Sequence, residues 1–175
     1  LFLVYVVIPL FLPSDLERGN ALDTAGNAAD VVHVGVSEYS TMAWLVHRDG
    51  SIDVRQLRNG RLIRRLEVPD AGQLTSWSFA IDGDHCALGY GDGTVRVGTI
   101  GFATEFLAAD QIPPEIRDLP EGDTAPLRQG MVERTPEDQF RYQELAVDLG
   151  PAQQLGSQPI TLVDQSQTNT GPRFA

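Results

Sequence analysis

Residues 44–54 read WLVHRDGSIDV, and residues 87–97 read ALGYGDGTVRV. Each stretch consists of two apolar, β-branched runs that are separated by an Asp-Gly dipeptide. Asp-Gly is a strong signal of a type I′ hairpin turn, because both central residues of that turn need positive φ. Both stretches therefore predict a pair of antiparallel strands. An offset of 43 residues relates the two copies: Asp49 and Gly50 correspond to Asp92 and Gly93, Ile52 to Val95, Val54 to Val97, and Leu45 to Leu88.

Further short apolar runs flank these hairpins, and turn residues bound each of them. Runs of this length and composition are typical of β-strands. Four strands per unit and a period of about 40 to 45 residues are typical of WD40-type propeller blades. An ordinary antiparallel sandwich remains the alternative, because its hairpins use the same turns. The predicted strands are 31–36, 41–47, 51–57 and 61–68 in the first unit, and 74–81, 85–90 and 94–100 in the second.

The fold class that follows is all-β: a partial β-propeller of WD40-like four-stranded antiparallel blades, preceded by the end of a transmembrane helix. Residues 31–108 are predicted to hold two propeller-like blades, with 103–107 as the fourth strand of the second. Because propellers have about four to eight blades, two copies cannot close a ring, and we expect the chain to be a fragment. Residues 109–126 form a predicted acidic, proline-rich loop. Residues 127–175 are predicted to hold a hairpin and the start of a further, incomplete blade, with a strand at 159–164.

The N-terminal run reads LFLVYVVIPLFL and contains no charged residue. It follows neither the period of a half-buried strand nor that of an amphipathic helix, so it has no polar face. Because a membrane-spanning helix needs about 20 apolar residues, the run predicts only the C-terminal end of such a helix, in residues 1–13. Residues 14–30 are rich in Ala, Gly, Asn and Asp and are predicted to form a linker. The alternative is a buried strand over residues 1–8 of a soluble protein.

The charge balance argues against nucleic acid as a partner. The chain has 175 residues, with 13 basic and 24 acidic side chains, and its formal net charge is −11. A protein that binds nucleic acid must neutralise phosphates with clustered positive charge. We therefore predict no nucleic-acid partner.

No catalytic, cofactor or metal site is predicted. The glycine-rich stretch at 89–93 is followed by a strand, whereas a nucleotide-binding loop must lead into a helix. Asp82 and Asp84 lack the further oxygen ligands of a calcium loop. The histidines and the cysteine match no zinc spacing, and no serine lies in a Gly-x-Ser-x-Gly elbow. We therefore predict that the chain is not an enzyme. The histidines and the cysteine are His33, His47, His85 and Cys86.

Five of the 13 basic residues lie close together in sequence and form a cluster of positive charge. Because they flank an Asn-Gly turn between two predicted strands, several of them share a face of the sheet. We interpret the cluster as a candidate interaction patch for an anion or a protein. The alternative is a solvated outer strand whose charges prevent pairing with other sheets. The arginine patch consists of Arg55, Arg58, Arg61, Arg64 and Arg65.

The combination of an apolar helix end at 5–11, a short polar linker and blades such as residues 44–50 resembles the first part of certain bacterial phosphate-uptake ABC transporter permeases. In those proteins a large extracytoplasmic β-rich insertion follows the first transmembrane helix. The resemblance implies a non-catalytic, propeller-like periplasmic region of a permease in the bacterial inner membrane, with everything after residue 13 extracytoplasmic. It also implies three partners: an ATPase subunit, a second permease and a phosphate-binding protein, with the membrane contacted through the N-terminal helix. No transport residue is carried over, because no stretch matches the loop that contacts the ATPase.

A second function comes from another class of protein. The same blades fit a WD40-like protein-interaction scaffold, either soluble or singly membrane-anchored, because propellers expose loops on both faces of the ring. An enzyme is the weakest option, since it would need inward-facing acids or histidines from blades that this chain does not contain.

Overall fold

The computed structural model describes residues 28–68, 72–80, 84–168 and 171–174. The predicted membrane-helix end at 1–13 therefore lies outside the described residues, and so does the linker up to residue 27. Among the residues that the structure does describe, no helix has the length and apolar content that a membrane span requires.

The described residues form an all-β structure with three short helical turns. The turns are two 3₁₀ helices, Ala28–Asp30 and Ala109–Gln111, and the short helix α1, Pro114–Arg117. The strands are β1 (Val31–Val36), β2 (Met42–His47), β3 (Ile52–Gln56), β4 (Leu62–Leu66), β5 (Leu74–Phe79), β6 (His85–Tyr90), β7 (Thr94–Leu107), β8 (Thr124–Leu127), β9 (Gly130–Arg134), β10 (Phe140–Leu149), β11 (Gln153–Gln154), β12 (Gln165–Thr168) and β13 (Gly171–Phe174).

Strands β1 to β4 form a four-stranded antiparallel meander, which we call the first sheet. The predicted hairpin at Asp49 and Gly50 joins β2 to β3, and Gly50 has a φ of 85°. Asp49 is not among the residues with positive φ, so the turn is not the predicted type I′. The reason is local: Asp49 Oδ1 accepts hydrogen bonds from both the backbone N–H and the hydroxyl of Ser51, at 2.9 and 2.6 Å. The side chain of Asp49 thus stabilises the turn by accepting a hydrogen bond from the backbone two residues further on, as Asp often does.

Strands β5 to β11 form the second sheet, in the order β5-β6-β7-β10-β9-β8 with β11 beside the start of β7. The hairpin between β6 and β7 has the same turn as the hairpin between β2 and β3. Asp92 Oδ1 accepts hydrogen bonds from the backbone N–H and the hydroxyl of Thr94, at 3.0 and 2.6 Å. Gly93 has a φ of 84°. The 43-residue repeat in sequence is therefore a repeat in hydrogen bonding.

The second sheet differs from the prediction at β7, which continues to Leu107 instead of ending near residue 100. Residues 103–107, predicted as a separate fourth strand, belong to β7. The fourth position is taken by β10, which pairs with β7 over its whole length, from Phe140 with Leu107 to Leu149 with Gly98. Close approach of the two strands depends on Gly98, where a Cβ would overlap the carbonyl oxygen of Asp148.

The region after β7 contains more structure than the predicted loop. The second 3₁₀ turn, α1 and β8 lie within or begin in residues 109–126, and a small apolar cluster forms beneath them. The predicted hairpin after residue 127 is formed by β9 and β10. No strand occupies residues 159–164, and β12 begins at Gln165 instead. The members of the apolar cluster are Leu107, Ile112, Val132, Phe140 and Tyr142.

Side chains of the two sheets join in one main apolar core. Register places alternate residues of β2 and β3 on the same face, with Trp44 opposite Val54 and Val46 opposite Ile52. That face packs against apolar residues from β5, β6, β7, β9 and β10. The core residues of the second sheet are Leu74, Cys86, Leu88, Tyr90, Ile100, Met131 and Leu145.

Candidate functional site

A cleft of about 580 Å³ opens between the first sheet and the second, beside the core. Strand β1 lines one side of it with the consecutive residues 33–36. Strands β7 and β10 line the other side with Gly101, Phe102, Thr104 and Gln143. Because residues from two sheets meet here, the cleft exists only once the sheets have packed.

Two glycines leave no room for side chains at the walls of the cleft. A Cβ on Gly35 would overlap the indole ring of Trp44, and a Cβ on Gly101 would overlap the carboxylate of Asp84. The aromatic ring and the carboxylate therefore lie directly against backbone. Gly35 belongs to β1 and Gly101 to β7, so each wall contributes one such position.

An aromatic group borders the cleft on the side of β1. The ring of His33 stacks on Phe79, with centroids 3.7 Å apart and an interplanar angle of 15°. Trp44 is tilted against both rings, at 5.1 Å from His33 and 5.6 Å from Phe79. Burial lowers the pKa of His33 from its usual value of 6.5, because the charged form is poorly solvated there. His33 is therefore neutral at pH 7, and this wall is aromatic and uncharged.

A buried amide joins the two sheets beside the cleft. Gln143 is only 3% exposed. Its Oε1 accepts a hydrogen bond from the hydroxyl of Thr41, and its Nε2 donates one to the hydroxyl of Thr104, both at 3.0 Å. Thr41 precedes β2 and Thr104 lies in β7, so the amide fixes the spacing between the sheets.

The carboxylates of Glu38 and Asp84 also line the cleft, and no arginine does so among the described residues. With His33 neutral, the charge of the lining is therefore negative. Aromatic rings, amides and carboxylates can bind a ligand through stacking, hydrogen bonds and a cationic group.

The five arginines of the patch do not lie on one surface in the structure. Arg55, 4% exposed, donates through Nη2 to Asp53 Oδ2 at 3.0 Å and through Nη1 to the carbonyl oxygen of Gly60 at 3.1 Å. Arg65 lies on the same face, with Nη1 at 3.5 Å from Asp53 Oδ1. Its Nη2 also donates to the hydroxyl of Ser51 at 2.7 Å. These two arginines are paired with a buried aspartate inside the first sheet.

The other three arginines of the patch are spread over different surfaces. Arg58 forms an exposed ion pair with Asp123 of the second sheet region, at 3.2 Å. Arg64 lies opposite Val54, on the face away from Arg65, and Arg61 is exposed at the turn. Neither Arg61 nor Arg64 has an ion pair within the described ranges. The role of the patch as an interaction site stays a prediction, and any such surface would be smaller than five residues.

The histidines and the cysteine are dispersed over the fold. His47 Nε2 lies 3.4 Å from Asp53 Oδ2, while His33 belongs to the aromatic wall. Cys86 is buried in the core, and burial raises the pKa of its thiol to about 12. In the described part of the chain, no group of three or more His, Cys, Asp or Glu side chains is arranged to hold a metal ion.

Sequence reasoning did not single out the cleft. Its residues lie on strands that are far apart in sequence, such as β1 and β10, and no local motif links them. The one signal was the glycine at position 35, inside an otherwise β-branched strand, since such a glycine often marks close approach of another group.

Comparisons with known proteins found no matching family model and no matching curated protein. Among solved structures, U3-55K and the WD40 repeats of RRP9 each match with 10% identity and a TM-score of 0.31, covering 79% of this chain and 43% of theirs. Hsv2 of Kluyvelomyces marxianus matches with 14% identity and a TM-score of 0.26, covering 70% of this chain and 46% of its own. The chain thus spans less than half the length of each of these structures.

The resemblance to phosphate-uptake ABC transporter permeases is wrong, because the solved structures that match are WD40 repeat proteins. The three transporter partners, the membrane contact and the inner-membrane location with an extracytoplasmic region followed from that resemblance and are wrong with it. The physical reason is that the motifs were not specific. Polar linkers and Asp-Gly hairpins occur in many antiparallel β proteins.

Proposed function

We propose that this chain is part of a non-catalytic protein-interaction scaffold that binds a segment of a partner protein in the cleft between its two sheets. The observation that carries the proposal is the lining of the cleft: an uncharged aromatic wall, a fixed amide and two carboxylates, next to an exposed edge strand. Concave sites with an apolar body and a few placed polar groups are typical of binding sites.

We further infer that the two sheets are neighbouring blades of a WD40-like propeller. The equivalent turns at Asp49 and Asp92 and the 43-residue offset support this inference. The apolar core that the two sheets share supports it as well, because blades of a propeller bury their faces against one another.

A binding role also suits the chemistry of the side chains. Catalysis by a general acid or base needs a titratable group with a pKa near the working pH, within reach of the reacting atoms. In the cleft, burial lowers the pKa of His33 and keeps it neutral, and its ring is stacked on Phe79. Stacking, hydrogen bonding and charge pairing with a peptide need no such group.

The proposal is tested by selecting linear peptides of about ten residues from a random library against the whole chain, because each such peptide can place a shorter segment in the cleft. Val36→Arg places bulk and charge on the exposed edge strand that borders the cleft, where Val36 is 54% exposed, and charged side chains on an edge strand oppose pairing with another strand. We expect this variant to bind the selected peptides about tenfold more weakly or worse in isothermal titration calorimetry.

The matched control is Leu62→Arg, at another exposed aliphatic residue, 43% exposed, on the opposite edge strand β4 of the same sheet. This control should bind the peptides like the unchanged chain, and circular dichroism should show that both variants are folded. Failure to select any peptide, or equal binding by both variants, would contradict the proposed function.

A further inference from the structure

Among the residues that the structure describes, β2 alone pairs with strand β1, which is therefore an edge of the first sheet. The backbone N–H of Ser37 donates to the carbonyl oxygen of Met42 at 2.9 Å, which makes this a hydrogen-bonded pair. Hydrogen-bonded and non-hydrogen-bonded pairs alternate along an antiparallel ladder. With the observed register, Gly35 is hydrogen-bonded to β2, whereas Val34 and Val36 are not. The N–H and C=O groups of Val34 and Val36 therefore point away from the sheet.

The same two valines are exposed and lie at the cleft. Val34 is 50% exposed and Val36 is 54% exposed, and both line the cleft. No backbone group in the described part of the chain bonds to their outward N–H and C=O groups. An open strand edge with apolar side chains is a template for pairing with another strand.

We propose that the outer edge of β1 accepts an extended peptide as an added strand, and that the peptide carries a basic side chain next to Glu38 and Asp84. This inference rests on the proposed function, because the peptide is the partner segment that the scaffold binds. Strand addition supplies affinity through main-chain hydrogen bonds and specificity through alternate side chains.

Charge complementarity identifies the class of peptide. Both carboxylates line the cleft, His33 is uncharged and the chain as a whole carries a net charge of −11. An acidic segment would meet like charge there, while Lys or Arg would form charge-assisted hydrogen bonds. Since β1 has six residues and a strand rises about 3.3 Å per residue, the edge is about 20 Å long and pairs with five or six peptide residues.

The main-chain part of the proposal is tested by N-methylation along a peptide selected from the library. In an added strand, every second N–H faces β1, and a methyl group there removes a hydrogen bond and adds bulk. We expect methylation at alternate positions to weaken binding about tenfold and methylation at the positions between them to change it about twofold or less.

The charge part is tested with Glu38→Gln, and Glu67→Gln is the matched control, because Glu67 is also exposed but lies outside the cleft. The selected peptides should be enriched in Lys and Arg. Their affinity should fall about threefold in the first variant and stay unchanged in the control.

The outcomes separate this inference from the proposed function. Suppose that Val36→Arg abolishes binding, but N-methylation weakens it at no position or at successive positions. This result would overturn strand addition and would leave the proposed scaffold function intact. Selected peptides without basic residues would overturn the charge assignment. Concentration-dependent dimers of the chain that Val36→Arg removes would show that the occupant is a second copy, which also contradicts the inference. A library that gives no binder to the unchanged chain would overturn both.

Discussion

Gly35 shows at the scale of a single residue how tightly the first sheet is built. A Cβ at this position would overlap the indole ring of Trp44, which is 3% exposed and packs against His33 and Phe79. Gly35→Ala should therefore lower the free energy of unfolding by about 1–3 kcal/mol, the usual cost of overpacking a core. Chemical denaturation followed by tryptophan fluorescence would measure the change.

Gly72→Ala is the matched control for that substitution, because no atom lies within 4 Å of a Cβ built there. The control should change stability little or increase it slightly, since alanine restricts the unfolded chain more than glycine does. Equal stabilities of the two variants would mean that Trp44 moves freely, and the description of the aromatic wall would then be wrong.

His33 illustrates how packing decides the chemistry of a residue. The sequence presents it as one of three scattered histidines, and its spacing to the others carries no information. Burial beside Phe79 and Trp44 lowers its pKa and keeps it neutral at pH 7. Its role as part of an uncharged wall follows from these two neighbours, which lie on other strands.

At the scale of strands, a buried ion cluster links β2, β3 and β4. Asp53 is 2% exposed and lies within 3.0 Å of Arg55, 3.4 Å of His47 and 3.5 Å of Arg65. Asp53→Ala would leave Arg55 buried without its carboxylate partner. Breaking a buried pair in this way costs about 3–5 kcal/mol, and we expect a loss of that size in chemical denaturation.

The exposed pair of Arg58 with Asp123 provides the comparison for Asp53. Both side chains of this pair are solvent-accessible, at 75% and 43%. Asp123→Ala should therefore cost no more than about 1 kcal/mol, because solvent and salt screen exposed pairs. If Asp53→Ala cost as little as Asp123→Ala, the cluster around Asp53 would contribute no more than an ordinary surface contact.

The limits of prediction are clear at the same scale. Strands β1 and β6 match their predicted bounds, because polar residues end the apolar run of β1 at Ser37 and glycine- and aspartate-rich turns flank β6. Strand β7 does not, because it continues past Gly101 to Leu107 beside a partner strand. That partner, β10, lies about forty residues further along the chain, and its pairing cannot be read from the local pattern of β7.

On the scale of the whole molecule, the two sheets share one core and depend on each other. Trp44, Val46, Ile52 and Val54 are each at most 3% exposed, and they pack against residues of the second sheet. Exposing side chains of this kind costs about 1.5–3 kcal/mol each. A segment of residues 28–68 alone should therefore be unfolded, while the whole chain is folded.

Circular dichroism and amide proton dispersion in NMR spectra would test this expectation. A control segment that carries both sheets, residues 28–164, should give the dispersed spectrum of a folded protein. A folded, cooperative transition from residues 28–68 alone would contradict the shared core and would make the first sheet an independent unit.

The sequence by itself determined the all-β class, the 43-residue repeat and most strand ends. These depend on local chemistry: β-branched runs favour extended backbone, and Asp-Gly turns end them. Only the tertiary structure decided the cleft, the pairing of Arg55 and Arg65 with Asp53, and the position of β10 beside β7. The physical reason is that each of these depends on groups brought together by packing, so burial and distance, rather than residue type, set their charge, contacts and accessibility.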